Sequence, residues 1–513
     1  MSDGTRTRDV LDHNQVLYQL SYTHRDPSPG APGESTLPPG AHDTPRPAVT
    51  GPGGGAAMDA TVERVKRTAL AATAIGWFLF SLDLTVVTVA LPTIGIDFSA
   101  PLTSLQWVVT AYAVTVAALL LPAGRLGDHW GPRRVYLAGL IVFGCASVIS
   151  ALAPTLWVLV LGRAAQGVGG AAMTATGLAL LSVSYGDDVA GRTRAIGWWA
   201  ALGGVAGVLG LFVGGVVVSF AGWRPLFWVN IPIVVLAVWL TLRLPRQARG
   251  GAPPAVDVLQ LVAVAAAVAL LVTCLSILTW ASTALLASLA LVMVIAFGVV
   301  AWRQRASDHP SVPRSITGSA NARRALIYAL IANVQFYMAL LALTVYFQTG
   351  LGWTAVLTGL AFLPAVLPTP IAMPIVARIS AVVSPRRVLL ALTLLGALGF
   401  AVMALSSTAT PYALLAIGMV CVALACSGIL IAPLTRLLMQ GVAPGDAGAV
   451  TGVLTMMRQL GASVGAASLA LVVAGIPVDA VSRAGWACLV LAAVCGLLLI
   501  PSRRERAPVT TAA

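Results

Sequence analysis

The chain has 513 residues, of which 58% are hydrophobic and 10% charged. A soluble chain is about 45–50% apolar and about 25% charged, so this composition, with a mean hydropathy of +0.90, excludes a soluble enzyme and predicts a polytopic membrane protein. The net charge of +13 would suggest nucleic acid in a soluble protein. Basic loops on one side of a membrane give the same excess, so the position of the charges decides.

Residues 1–57 differ from the rest. Eight prolines fall between Pro27 and Pro52, among Gly, Ser and Thr. Such a segment buries too little apolar surface to offset its ordering entropy. It is expected to be a disordered cytoplasmic tail. Met58 opens a stretch that reads as an ordinary start before a first span, so a tail that is not translated is the other expectation; the intact mass of the native protein separates the two.

Fourteen apolar runs follow, near 68–92, 104–124, 134–152, 155–182, 195–220, 225–243, 257–279, 283–302, 325–348, 355–377, 387–406, 411–435, 449–473 and 484–501. Each is long enough for the ~20 residues that cross ~30 Å of hydrocarbon. The seventh and eighth decide fourteen against twelve. From Val258 to Trp302 there is no charged residue, over about twice the length of one span, and Trp280 with the following Ser and Thr supplies an interfacial turn.

With the N-terminus inside, the inside loops and ends carry 23 Lys and Arg, and the opposite side has Arg224 and Arg483. The positive-inside rule holds at every inside loop. The expected orientation is a multi-pass protein of the cell membrane with both termini cytoplasmic, and the +13 reports topology, so no nucleic-acid partner is expected. The runs divide into a six-helix bundle over 58–244, an inserted transmembrane hairpin over 257–302, a second six-helix bundle over 324–501 and a short tail, 502–513. The predicted fold class is an all-α integral membrane protein. Two bundles of this kind place a substrate site between them at the midplane.

Ionisable groups inside the membrane are costly and mark function. Three stand out. Asp83 is the one carboxylate deep in a run; Arg163 lies in the fourth and Arg458 in the thirteenth. Apolar surroundings favour the neutral form of a carboxylate, which is the chemistry of a proton-coupled carrier. A permanent Asp–Arg pair that only holds helices together is the structural alternative. All five histidines fall in the tail or in loops, and the six cysteines show no paired C-x-x-C spacing, so neither a His proton relay nor a metal site is expected. No run supplies a nucleophile, metal or carboxylate pair, which argues against an enzyme.

The fifth run holds Gly203, Gly207, Gly210, Gly214 and Gly215, with Gly203/Gly207 and Gly210/Gly214 in GxxxG spacing. Close helix packing and a functionally bent span are both consistent with that pattern. The tenth run carries Pro364, Pro368, Pro370 and Pro374, which must kink or break it. Trp77, Tyr112, Phe336 and Tyr337, with Arg458, are candidates to line an apolar cavity, although packing or an interfacial place is the commoner fate of such aromatics.

Gly124-Arg-Leu-Gly-Asp-His-Trp-Gly-Pro-Arg-Arg, with Gly124, Asp128, Gly131, Arg133 and Arg134, resembles the signature between spans 2 and 3 of the major facilitator superfamily. His129 stands where a basic Arg or Lys is usual. The segments Leu82–Pro92, Leu105–Tyr112, Leu161–Ala171, Trp223-Arg224 with Val229–Ile233, and Met456–Gly465 resemble those of its 14-span drug:proton antiporter branch. The resemblance implies a major facilitator fold, a cytoplasmic gating role for the loop, and a share in proton transfer for Arg163. It also implies a monomeric exporter of drugs, antibiotics or secondary metabolites that uses the proton gradient and no cofactor. Leu211 replaces the proline of the branch's span-5 motif, and Ala206 replaces a usual glycine. That departure favours the alternative of a facilitator or symporter for one dedicated metabolite. If Asp83, Arg163 and Arg458 all faced one cavity, a strongly cationic cargo would find little to pair with. Neutral, weakly acidic or bulky amphipathic compounds are the expected cargo.

Overall fold

In hydrocarbon a backbone N–H has no water to fall back on, so a spanning segment must satisfy its hydrogen bonds internally. The computed structural model meets that demand with helices throughout. It describes residues 52–245, 257–278, 281–306, 312, 314–407, 409–426, 428–440, 447–468 and 479–500. Residues 1–51 of the predicted tail, the 502–513 tail, Trp280 and the 469–473 end of the thirteenth run lie outside the described residues. The chain divides into two compact units. The first joins Met1–Arg64 to Arg246–Ala252, and its described part is the helical stretch 52–64. The second, Val65–Pro245 with Pro253–Ala513, holds everything below.

All fourteen apolar runs fall on helices. They are α1 (Pro52–Asp97), α2 (Leu102–Trp130), α3 (Pro132–Ala151), α4 (Leu156–Tyr185), α5 (Val189–Ala221), α6 (Asn230–Leu242, after a short turn Pro225–Trp228), α7 (Val258–Ile277) and α8 (Thr283–Ala306). Then come α9 (Ala320–Val345), α10 (Pro368–Val382, preceded by Ala355–Ala361 and Leu363–Val366), α11 (Pro385–Ala404), α12 (Tyr412–Cys426, continued by Ile431–Met439), α13 (Ala447–Ala467) and α14 (Ala480–Leu498). Eleven helices among the described residues are long and apolar enough to cross a membrane. The first helix starts at Pro52, inside the segment expected to be disordered.

Local chemistry sets the ends. Thr155 accepts from the Val158 N–H, Asp188 from Gly191, Asp257 from Gln260 and Ser319 from Ala322, each side chain satisfying a donor that the helix start leaves free. Gly131 joins α2 to α3 at φ +90°, a backbone that side-chain-bearing residues rarely adopt. The tenth run is interrupted at Phe362 and Leu367 into three pieces, beside Pro364 and Pro368, while Pro370 and Pro374 lie within the last piece. The fifth run forms one helix, α5, from Val189 to Ala221.

Its glycines seat α5 on α1. A Cβ at Gly207 would stand 3.1 Å from the Ser81 hydroxyl, at Gly210 2.8 Å from the Leu82 carbonyl, and at Gly214 2.9 Å from that of Val86. Gly215 is buried on the same helix. The second block repeats the device. On α13, Gly461 packs onto the Leu330 carbonyl and Gly465 onto that of Val334, both on α9. The fifth helix of each six-helix block thus lies against the first through glycine contacts.

The blocks meet in a matching, pseudo-twofold way. The second helix of one touches the fifth of the other. On one side Ser463 of α13 donates to the Ala113 carbonyl of α2 at 2.8 Å. On the other, a Cβ at Gly359 of Ala355–Ala361 would lie 2.7 Å from the Leu211 carbonyl of α5. Gln348 adds a bond to the Val89 carbonyl at 3.4 Å. The inserted pair is asymmetric. Val264, Val268 and Val272 of α7 are buried with Ala117 and Ala118 of α2 and Leu460 and Ala467 of α13, whereas α8 buries no residue.

Gly210→Leu should therefore cost about 1–3 kcal/mol, the range for overpacking a filled interface. Gly298→Leu on α8, where a Cβ meets nothing within 4 Å, should change stability by about 0.5 kcal/mol or less. Thermal unfolding of both purified variants in detergent checks this. Equal destabilisation would contradict the assignment of the glycines to packing.

Candidate functional site

The lone deep carboxylate and the span-4 arginine find each other. Arg163 donates through Nη1 to the Asp83 carboxylate at 2.5 Å, and both side chains have no exposure to solvent. In an apolar interior such a pair holds only if the remaining lone pairs and protons are also met. Most are. Asn230 Nδ2 donates to Asp83 Oδ1 at 3.0 Å, and Gln166 Nε2 approaches the same oxygen at 3.4 Å. Arg163 also donates to the Gln166 side-chain carbonyl at 2.8 Å and, through Nε, to the Val108 backbone carbonyl at 3.0 Å. Ser147 receives Gln166 at 2.8 Å and Asn230 at 3.3 Å. The guanidinium lies 4.3 Å from the Tyr112 ring centroid, a cation–π contact in a desolvated place. Arg163 Nη2, Asn230 Oδ1 and the Tyr112 hydroxyl remain buried without a partner.

The network joins five helices: α1 (Asp83), α2 (Val108, Tyr112), α3 (Ser147), α4 (Arg163, Gln166) and α6 (Asn230). Sequence reasoning singled out Asp83 and Arg163 and missed Gln166, Asn230 and Ser147. The signal for Gln166 was its place three residues after Arg163, on the same helix face.

A central cavity lies on the other side of α1. Trp77, Phe80, Ser81, Leu84 and Thr85 of α1 line it, with residues of α5, α9, α10, α12 and α13. Phe336, Tyr337 and Arg458 line it, and so does Leu211. Tyr112 does not; its ring is wholly buried beneath Arg163. The three membrane charges therefore do not share one cavity. Asp83 and Arg163 pair behind α1, and Arg458 faces the cavity apart from them. Trp77 stacks on Trp199 at 4.4 Å between centroids, a partner not foreseen in the sequence, and its indole N–H is buried with no acceptor. Pro364 and Pro368 sit at the breaks preceding α10, near the lining residues Phe362, Ala365 and Thr369.

A second cleft opens at the basic end. Gly124, Arg125, Gly127 and Asp128, which the structure places in the last turns of α2 rather than in a loop, line it with Gly452, Val453, Thr455 and Met456 of α13, and Trp199 borders both cavities. Arg133 donates to the carbonyls of Thr241 and Leu242 at 3.0 and 2.9 Å, closing the end of α6 with a cation. Arg134 is exposed beside it. Nearby, Lys66 of α1 pairs with Asp188 at 2.7 Å and holds that carboxyl below the usual range. At the opposite end Asp97 accepts from the Trp223 indole at 3.0 Å and pairs with Arg224 at 2.7 Å. Trp223 and Arg224 were legible as a motif, but their acid was not.

Over residues 73–466 the chain matches the family model of the Major Facilitator Superfamily. It is 34% identical over 413 residues to the methylenomycin A resistance protein of Streptomyces coelicolor, covering 80% of this chain and 85% of the relative. It is 32% identical over 421 residues to the multidrug resistance protein Stp of Mycobacterium tuberculosis (80% and 77%). With the cephamycin export protein CmcT of Amycolatopsis lactamdurans it shares 33% over 440 residues (82% and 90%). Among solved structures, the human organic anion transporter MFSD10 superposes with a TM-score of 0.57 at 15% identity, over 85% of this chain and 99% of that one, a likeness of fold.

Breaking a buried ion pair from one side leaves an uncompensated charge and costs about 3–5 kcal/mol. Arg163→Gln should show that loss in thermal unfolding, and Asp83→Asn with Arg163→Gln should recover much of it. A double variant no more stable than Arg163→Gln would contradict the pairing.

The fold, the two facing blocks and these relatives agree: the chain belongs to the Major Facilitator Superfamily and is a multi-pass membrane transporter of small molecules, not an enzyme.

Proposed function

We propose that the protein is a proton-coupled efflux transporter that exports hydrophobic or amphipathic small molecules by alternating access. It acts in the cell membrane as a monomer, with both termini cytoplasmic and the basic end facing the cytoplasm. Its parts are the bundles 58–244 and 324–501 and the hairpin 257–302. The relatives' names, of drug resistance and antibiotic export, support export.

One observation carries the coupling. α1 bears Asp83 on the face that meets Arg163 and Asn230, and Ser81, Leu84 and Thr85 on the face that lines the cavity. The charge state of the acid and the occupancy of the cavity therefore act on one helix. With Asp83 ionised, the pair ties α1 to α4 and α6. A proton on Asp83 removes the attraction and leaves Arg163 with neutral partners, which favours a different seating of α1 against its neighbours. Cargo pressing on Ser81 and Thr85 biases the same helix. Each proton entering down 100 mV contributes about 2.3 kcal/mol to the cycle. The cleft beside Asp128 and the close Gly359–Leu211 approach fit a conformer open toward the basic end.

Leu211 favours the second reading, a facilitator of one dedicated metabolite. It occupies the motif proline's place in an unbroken α5, where a proline kink would have aided bending.

The test uses membrane vesicles with a preset pH gradient and a broad antimicrobial panel. A compound exported by the protein should dissipate the gradient with the wild type and not with Asp83→Asn. Dissipation by both equally would overturn the role of Asp83, and compound flux indifferent to the gradient would select the facilitator.

A further inference from the structure

The central cavity has an unbalanced charge. Among the described residues that line it, Arg458 is the one charged side chain and no carboxylate is present. No described carboxylate pairs with Arg458. The membrane's one deep acid is already held by Arg163, Asn230 and Gln166 behind α1. A cation facing a largely apolar cavity without a counterion is costly, and an anion that enters relieves the cost.

Packing puts neutral polar groups beside that charge. Gly461 and Gly465 bring α13 onto α9, so that their Cβ positions would fall 3.0 Å from the Asn333 Cβ and 3.1 Å from the Tyr337 Cβ. Arg458 lies three residues before Gly461, and Arg458, Asn333 and Tyr337 all line the cavity. Asn333 gives its amide to the Ala329 carbonyl, and Tyr337 packs edge-on to Phe336 at 5.4 Å between centroids. Apart from Ser81, Thr85 and Thr369, most of the remaining wall is apolar, with Phe80, Phe336, Leu340, Phe362 and Met419. The Trp77 indole N–H, on another lining residue, is buried without an acceptor.

Resting on the transporter reading above, we infer that the cavity takes amphiphilic anions: an acid group held by Arg458, and an apolar body along the aromatic wall. A guanidinium suits this task because its planar donors match a carboxylate or sulfonate in pairs. A quaternary ammonium of the same size meets like charge there.

The experiment compares matched probes on the full-length protein in detergent. Pyrenebutyrate and a pyrenebutyl-trimethylammonium salt share a body and differ in the sign of charge; quenching of tryptophan fluorescence reports binding. The wild type should bind the carboxylate at least tenfold more tightly. Arg458→Gln should bring the two within about twofold, and Arg458→Lys should keep most of the preference. Equal or tighter binding of the ammonium, or a preference that survives Arg458→Gln, would overturn the inference. The wild-type preference needs no variant, so a poorly folded Arg458→Gln leaves the proposal open to refutation. Binding is read without transport. A carboxylate that binds through Arg458 yet is not moved in vesicles upholds the anion site and counts against export.

Discussion

A carboxylate and a guanidinium, both out of reach of water, govern this molecule. Removing two charges from solvent costs several kcal/mol each even after relaxation, so Asp83 and Arg163 persist only because five helices converge to satisfy them. Gln166 and Asn230 supply neutral donors, Ser147 ties those two together, and the Val108 carbonyl and the Tyr112 face complete the guanidinium's surroundings. The arrangement is stable in one charge state. Neutralise the acid and the reason for holding α1 against α4 and α6 is gone. A transporter needs an interaction of that kind, strong in one state and absent in the other, because a ligand or proton shifts an equilibrium only by its differential affinity for the two states.

Glycine sets how closely α1 is held on its other side. Gly207, Gly210 and Gly214 let α5 rest on the backbone of α1, as Gly461 and Gly465 let α13 rest on α9. Helices that touch through backbone atoms have little side-chain volume to rearrange and can shift as pairs. The blocks then meet at two matching contacts, α2 with α13 and α5 with the segment Ala355–Ala361. α7 buries valines against α2 and α13, so the inserted hairpin buttresses one of the two contacts, while α8 contributes no buried residue to the fold.

Much of this was legible in the sequence because charge is so scarce in the membrane. Asp83 and Arg163 could be named without a structure, since few other ionisable groups sit deep in any run. The proline-rich tenth run predicted its interruptions, of which Pro364 and Pro368 stand beside two, and the basic loops marked one end. What stayed hidden has a common cause. In a membrane helix nearly every face is apolar, so periodicity does not reveal which face meets which neighbour. Whether Asp83 shared a cavity with Arg458 was open in the sequence; it pairs with Arg163 instead, and Arg458 lines the cavity apart from it. Tyr112 read as a cavity aromatic and proved to be the platform under Arg163. Neutral groups such as Gln166, Asn230 and Ser147 carry no charge signature and become visible only when the helices bring them together. The glycine run was equally open to bending or packing, and the atoms opposite each Cβ show the packing.

The central claim is that cargo in the cavity and a proton on Asp83 compete through α1. Proton exchange on binding tests it most directly. Cargo is added to purified protein in weakly buffered detergent solution while a pH-sensitive dye reports protons. The account predicts a proton signal on binding in the wild type that is absent in Asp83→Asn, with cargo still bound. The same signal in both proteins would contradict it.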